Sequence, residues 1–411
     1  MSEIAVYFSD YFDVDSDTIE EYGAVNVSLI NDLPLFIDPF LLFNSENPDY
    51  QAIHSEMIEY LQFLQRQAQI IPMLSSGMRQ AWFHFSEVKQ TWLGFSQSGN
   101  AGRGMGAEFA DGLYKGLTSI FKDFSKTTIT KSPHMEKLCL ISPNVGRDKI
   151  SDFTTNFAKK YLLEYTQQFA RDNIDEQYCR NVTVNRVSFN WNTHTWQSGT
   201  FYLPYCNGDF VLLTPKEMLT RDDTFINRSD MLRNIEQISF AIPDDALRFQ
   251  LNQYFGEILK KSKKLNKTEK DQYAEMFIRE HPELIDYYLK YKEDNQEEAT
   301  SVSKENVRDV QFMFNTQIQQ LIEILGNTTT FYQTSPDAHE EAKKRVLFLK
   351  HVIEDQEGYR LFYQHDGNPI KRESDLQVIY RLVWYGTTLD VNREVNNGRG
   401  PVDYKISFGK K

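Results

Sequence analysis

Two segments, residues 51–67 and 150–171, carry apolar side chains at the three- and four-residue spacing of a helix with one buried face. The apolar positions of the first segment are Ile53, Met57, Leu61 and Leu64. Those of the second are Phe153, Phe157, Tyr161, Tyr165 and Phe169. Both segments therefore predict long helices that pack against a core.

An alternating pattern follows the second helix and predicts an antiparallel hairpin. Residues 182–190 (VTVNRVSFN) alternate apolar and polar, residues 191–194 (WNTH) form the turn, and residues 199–205 (GTFYLPY) return. Residues 207–219 (NGDFVLLTPKEML) predict a third strand that runs into a helix. Shorter runs predict strands at 24–29 and 136–142.

The later part of the chain predicts a helical region with a boundary before it. Residues 292–306 (KEDNQEEATSVSKEN) are acidic and carry no large apolar residue except Val302, so we expect an exposed connection there and a domain boundary near residue 300. Apolar periodicity then predicts two helices between 306 and 354. We expect a mixed α/β N-terminal region at 1–300, a possible sensor or regulatory unit, a helical connection at 301–355, and an incomplete third unit at 356–411. The fold class is α+β.

Composition and charge narrow the classes of function. The 411 residues carry a formal net charge of −13, which argues against a protein that coats nucleic acid over its whole surface. The three cysteines are far apart and form no zinc signature. The N-terminus has no signal-peptide pattern, and no stretch is apolar enough to span a membrane, so we expect a cytoplasmic protein.

A glycine-rich segment at 98–109 is one candidate for phosphate binding. Gly102, Gly104 and Gly106 precede a helical pattern, and backbone N–H groups at such a turn can hold a phosphate. The spacing matches neither a Walker A motif nor a dinucleotide fingerprint. The alternative is a plain loop that ends at a helix cap.

Residues 256–272 contain the only dense basic run of the chain. The lysines are Lys260, Lys261, Lys263, Lys264, Lys267 and Lys270. Such a run is either a solvated helix face or linker, or a contact to nucleic acid phosphates.

The last forty residues carry most of the candidate chemistry. A predicted helix at 374–385 is preceded by Glu373 and contains Asp375, and the loop NNGRGP then leads into the strand PVDYKISF. Asp403 is the third residue of that strand, and Lys405 follows two residues later on the same strand face. Glu394 is a further acid close to the loop.

This arrangement resembles the opening of the PD-(D/E)XK, or restriction-endonuclease-like, nuclease core. The resemblance implies a partial α/β core in which Asp403 is the metal-binding motif acid, assisted by Glu373 or Asp375, with Lys405 near the phosphate and Arg399 a nucleic-acid contact. A Glu-x-Lys strand should follow, but Lys411 is the last residue, so we expect residues 1–411 to be inactive. Mg²⁺ or Mn²⁺ is implied only in the complete protein.

Most of the chain also resembles uncharacterised bacterial proteins. The segments that carry this resemblance include EYGAVNVSLINDLPLFIDPFLLF, VGRDKISDFTTNFAKKYLLEYTQ, GDFVLLTPKEMLT and DVNREVNNGRGPVDYKISFG.

Two functions from different classes remain open at this point. The first is a PD-(D/E)XK nuclease that acts on DNA or RNA, with defence against foreign DNA as a speculative role. The second is a non-catalytic binding or assembly module in which residues 1–300 recognise a protein or a nucleotide.

Overall fold

The protein is described from a computed structural model. The described ranges are 7–29, 32–71, 75–94, 129–137, 147–221, 283–313, 338–355, 389–396 and 401–408, with short pieces at 110, 113–114, 140, 226–227, 230–231, 242–243, 248–249, 253 and 362–363. For 389–396 and 401–408 the backbone alone is described. The predicted glycine loop and lysine run lie outside these ranges.

The fold is α+β, as the sequence predicted. The helices are α1 (Phe8–Phe12), α2 (Ser16–Glu21), α3 (Pro39–Asn44), α4 (Pro48–Ile70), α5 (Ser76–Met78), α6 (Arg147–Asn173), α7 (Glu283–Asp294), α8 (Gln296–Gln311) and α9 (Ala338–Asp355). The strands are β1 (Leu35–Ile37), β2 (Cys179–Asn190), β3 (Thr195–Cys206), β4 (Asp209–Phe210), β5 (Leu219–Arg221), β6 (Leu389–Asn396) and β7 (Pro401–Phe408).

Helix α6 is the centre of the main core, and the predictions for α4, α6 and the hairpin are confirmed. Strands β2 and β3 pair antiparallel and pack with α4 and β1 around α6. Two polar side chains of α6 join it to neighbouring backbone: Gln167 Oε1 accepts from Tyr202 N at 2.9 Å, and Thr166 Oγ1 accepts from Leu213 N at 2.9 Å. These bonds give partners to one backbone N–H of β3 and to one of the irregular segment after β4.

Three of the shorter sequence predictions are wrong. Residues 24–29 are buried, and within the described ranges they form single bridges, from Ala24 to Pro215 and from Ser28 to Tyr7, instead of pairing with a strand. In the segment 136–142, Glu136 lies in a turn and Lys137 and Leu140 are helical. Strand β4 has only two residues, and Lys216–Met218 is a single 3-10 turn that leads into β5.

The acidic tract at 292–306, predicted to be an exposed connection, forms the end of α7 and most of α8. Ala299, Ser303, Val307 and Val310 recur every three or four residues of α8 and are buried. This face packs against β5 and α3, and Ser303 Oγ donates to Leu219 O at 2.5 Å. The sequence analysis did not detect this buried face, because its side chains are small and lie among acidic residues. The expected boundary near residue 300 therefore falls inside a helix.

None of the helices in the described ranges is long and apolar enough to cross a membrane.

Candidate functional site

The C-terminal hairpin places the predicted motif acid within a regular strand. Strands β6 and β7 pair antiparallel, and Arg393 faces Tyr404 while Val395 faces Val402. These two pairs lie on either side of Glu394 and Asp403, so the register brings these two acids to facing positions. Residues at facing positions lie on the same face of a sheet. Lys405 faces Asn392 and lies two residues beyond Asp403.

The remaining predicted site residues are not brought together by the described parts of the chain. Glu373, Asp375 and Arg399 lie outside the described residues, as do Lys260, Lys261, Lys263, Lys264, Gly102, Gly104 and Gly106. Helix α9 packs against β7, so a helix does accompany the hairpin. That helix is 338–355, and the predicted helix at 374–385 lies outside the described residues.

The donor set of the hairpin suits a divalent cation of the magnesium type. Asp403 and Glu394 supply carboxylate oxygens, which are the ligands that Mg²⁺ and Mn²⁺ prefer. Among the side chains that the structure describes, no group of three or more His, Cys, Asp or Glu could hold a metal ion.

A cavity of about 570 Å³ lies between α8, the C-terminal end of α2, the first turn of α4 and the middle of α6. Tyr22, Tyr50 and Tyr165 line it, together with Lys304 and Arg308 from α8. The other lining residues are Glu20, Gly23, Pro215, Lys216, Glu217, Val307 and Gln311. Its volume is within the range of roughly 300 to 1,000 Å³ that small-molecule sites occupy.

The tyrosines of the cavity are held in place by paired hydrogen bonds. Tyr22 OH donates to Tyr165 O at 2.9 Å, and Tyr165 OH donates to Tyr22 O at 2.7 Å. Their ring centroids are 4.4 Å apart. Burial raises the pKa of Tyr22 to about 12, and burial also raises the pKa of Tyr50 and Tyr165. The three phenols are therefore neutral at physiological pH.

A second group of polar residues is fully buried around His134. The ring Nε2 of His134 lies 2.9 Å from Glu293 Oε1, and Glu293 also accepts from Lys131 N at 2.8 Å and Ser132 N at 3.2 Å. These bonds fasten the segment 131–137 to α7. Phe40 and Phe43 of α3 pack against the His134 ring, with centroids 5.9 and 4.9 Å away. The arrangement is that of a structural anchor within the core.

The same group contains polar atoms that have no hydrogen-bond partner among the described residues. Both carboxyl oxygens of Glu136 are such atoms, and His134 Nδ1 lies 3.9 Å from Glu136 Oε2. Burial raises the pKa of Glu136 to about 7. Of the neighbouring groups, His134 lowers this pKa and Asp38 raises it. Burial, and then the neighbouring His134, lower the pKa of His54 to about 3. Glu136 therefore titrates near neutrality, and His54 stays uncharged.

Comparison with known proteins places the chain among families whose role is not defined. The model of a family described as "Domain of unknown function (DUF8370)" matches residues 13–227, just over half of the 411 residues. The chain belongs to this family. A second model, "Domain of unknown function (DUF8371)", matches residues 338–411. No curated protein and no solved structure matches the chain.

The two matched regions divide the candidate sites between them. The DUF8370 region contains α6, the β2–β3 hairpin and all the tyrosines of the cavity. The DUF8371 region contains α9 and the hairpin with Asp403 and Glu394. Helix α8, which supplies Lys304 and Arg308 to the cavity, lies between the two regions.

Sequence reasoning missed the cavity and the buried His134 group. Tyr161 and Tyr165 stood out only as core positions of a helix, and Lys304 and Arg308 were hidden in and beside the acidic tract. The i, i+4 spacing of Lys304 and Arg308 was the one feature of the sequence that could have indicated two neighbouring cations on a helix. His134, Glu136 and Glu293 carried no local signal, because Glu293 lies 159 residues from His134.

Proposed function

We propose that the chain supplies part of a metal-dependent phosphodiesterase of the PD-(D/E)XK type that cuts DNA or RNA, with defence against foreign DNA as its role. The supporting observation is the β6–β7 register, which brings Glu394 opposite Asp403 and carries Lys405 two residues further along the strand. Two acids and one lysine on neighbouring positions of a hairpin are the residue types that this chemistry requires.

Each residue of the hairpin has a distinct role in the proposal. Asp403 and Glu394 would hold Mg²⁺ or Mn²⁺ with their carboxylates, and the bound ion supplies an activated water and offsets phosphodiester charge. Lys405 would supply a positive charge that can form a charge-assisted hydrogen bond with a phosphate oxygen. Glu373 or Asp375 assists as a helical acid, and Arg399 and the Lys260–Lys270 run contact the nucleic acid backbone.

The hairpin gives a first prediction about metal affinity. In the protein expressed from its complete natural reading frame, Asp403→Asn and Glu394→Gln should each weaken Mn²⁺ binding by at least roughly tenfold, because each removes a charged ligand. Both should also eliminate cleavage of labelled single-stranded DNA, double-stranded DNA and RNA. Glu373→Gln and Asp375→Asn should have smaller effects. Titration calorimetry and gel assays provide the measurements.

Asp390→Asn is the matched control. Asp390 lies on the same strand as Glu394, but Ser407 faces it rather than an acid. This variant should bind Mn²⁺ and cut like the parent protein. If Asp403→Asn cuts as fast as the parent, the nuclease assignment is wrong, and a non-catalytic binding or assembly module becomes the preferred function.

A further inference from the structure

The cavity beneath α8 combines two kinds of lining that small ligands use for different purposes. One side is made by aromatic rings from the loop after α2, from α4 and from α6. The other side is made by the charged face of α8. The space of about 570 Å³ is large enough for a ligand that touches both sides at once.

The aromatic side is preorganised. Tyr22 and Tyr165 each donate the phenol O–H to the backbone oxygen of the other residue, so each ring is held to the facing segment by one hydrogen bond. Tyr161 stacks on Tyr165 with centroids 5.9 Å apart, and Tyr50 packs edge-on against Tyr161 at 5.5 Å. A rigid wall of neutral rings favours a flat aromatic group, because little side-chain entropy is lost on binding.

The charged side favours an anion. Lys304 and Arg308 lie one turn apart on α8, both are exposed, and neither forms an ion pair with a residue that the structure describes. Lys216, by contrast, is paired with Glu20, which also accepts from Gln311 Nε2 at 3.1 Å. Glu217 is the remaining carboxylate of the lining, and it is exposed. The lining thus has three cations against two carboxylates, in a chain whose net charge is −13.

We propose that this cavity binds a small ligand that joins a flat aromatic ring to an anionic group, of the class of nucleoside monophosphates. The base lies against the wall formed by Tyr22, Tyr50 and Tyr165, and the phosphate is held by Lys304 and Arg308. Stacking on aromatic rings accepts any base, since every base has a π-face. The two cations then distinguish the nucleotide from the nucleoside. This site is independent of the hairpin and of any nuclease activity.

The test first compares the binding of AMP with that of two fragments of AMP. Adenosine keeps the ring and lacks the phosphate, and ribose 5-phosphate keeps the phosphate and lacks the ring. Titration calorimetry should show AMP binding at least about tenfold more tightly than either, because each fragment loses one of the two contacts. GMP, CMP and UMP should bind within roughly tenfold of AMP, because stacking selects weakly among bases.

Variants of the protein locate the site. Lys304→Gln and Arg308→Gln change exposed positions, so folding should be unaffected, and each should weaken AMP roughly tenfold while leaving adenosine unchanged. Lys160→Gln is the matched control, because Lys160 is an exposed lysine on α6 that does not line the cavity. It should bind AMP like the parent.

Three results would each overturn the proposal. The first is no binding of any of the four nucleotides at millimolar concentration by the folded parent. The second is equal affinity for ribose 5-phosphate and AMP, which would show that the base does not contribute to binding. The third is AMP binding that Lys304→Gln and Arg308→Gln leave unchanged, which places the ligand elsewhere. Because no variant touches the hairpin, none of these results bears on cleavage.

Discussion

At the scale of single residues, the carboxyl of Glu136 is buried, and neither of its oxygens has a hydrogen-bond partner in the part of the chain that the structure describes. Its neighbours are His134 and Asp38, which act on its charge in opposite directions. Such a group is more stable with its proton, since an unpaired buried charge is costly. Its ionisation is therefore linked to folding.

Glu136→Gln should remove the part of the pH dependence of folding stability that arises from this carboxyl. The folded-state pKa is about 7 and the ordinary value is 4.5, so the favourable contribution of the protonated group is complete below 4.5 and is lost as pH rises through 7. The variant should therefore gain stability relative to the parent at pH 8, on the order of 3 kcal/mol more than at pH 4. Urea unfolding across this range is the measurement, with the exposed Glu164→Gln as control. Parallel curves for parent and variant would contradict the assignment.

His54 should act in the opposite direction. Its folded-state pKa is about 3 and its ordinary value is 6.5, so the stability of the folded protein falls as pH drops below 6.5, when the unfolded chain takes up the proton. His54→Gln should lose less stability than the parent between pH 7 and pH 4, by on the order of 3 kcal/mol. The same unfolding experiment measures it, and the exposed His351→Gln is the matched control. If the parent and the variant lose the same stability between pH 7 and pH 4, His54 is protonated in the folded protein.

At the scale of elements, α8 has two roles, because it covers β5 and also lines the cavity. Val310→Ala should destabilise the fold by about 2 kcal/mol, since the buried side chain leaves a small void. Val302→Ala makes the same change on the exposed face of the same helix and should cost almost nothing. Urea unfolding of both variants gives the comparison. Equal losses would mean that α8 is not docked through this face.

The elements that could be predicted from the sequence are those whose pattern is long and local. Helices α4 and α6 and the β2–β3 hairpin each repeat an apolar spacing over at least ten residues. The wrong predictions at 24–29 and 136–142 were runs of six or seven residues, which periodicity alone cannot assign to strand or helix. The prediction for residues 292–306 was wrong for another reason. The many charged residues of α8 suggested an exposed connection, although the small side chains of the same helix form a buried face.

At the scale of the whole molecule, the core formed by the described residues has two parts that α3 joins. Leu42 belongs to the large cluster around α4 and α6, whereas Phe40 and Leu41 belong to a smaller cluster with α7. Asp38 begins α3, where its side chain accepts from Phe40 N at 3.0 Å. The six residues of α3 therefore link the helical middle to the N-terminal part of the chain.

The candidate sites could be predicted only as far as their residues are neighbours in sequence. Asp403 was predicted from its place in the strand that follows the loop NNGRGP, Lys405 from its position two residues further on, and Glu394 as an acid close to the loop. The cavity could not be predicted, because Tyr22 and Tyr165 are separated by 143 residues and α8 comes later still. Pairing over such distances is set by tertiary packing, which leaves no local periodicity to detect.

The position of α8 outside the two family-matched regions has an evolutionary consequence. The aromatic wall of the cavity is embedded in the core, where substitutions are costly, so it should change slowly. The cations are exposed on a helix that the family region does not include, and they can be exchanged without disturbing the fold. Preference for the charge of a ligand can thus diverge between lineages while preference for its ring is inherited intact.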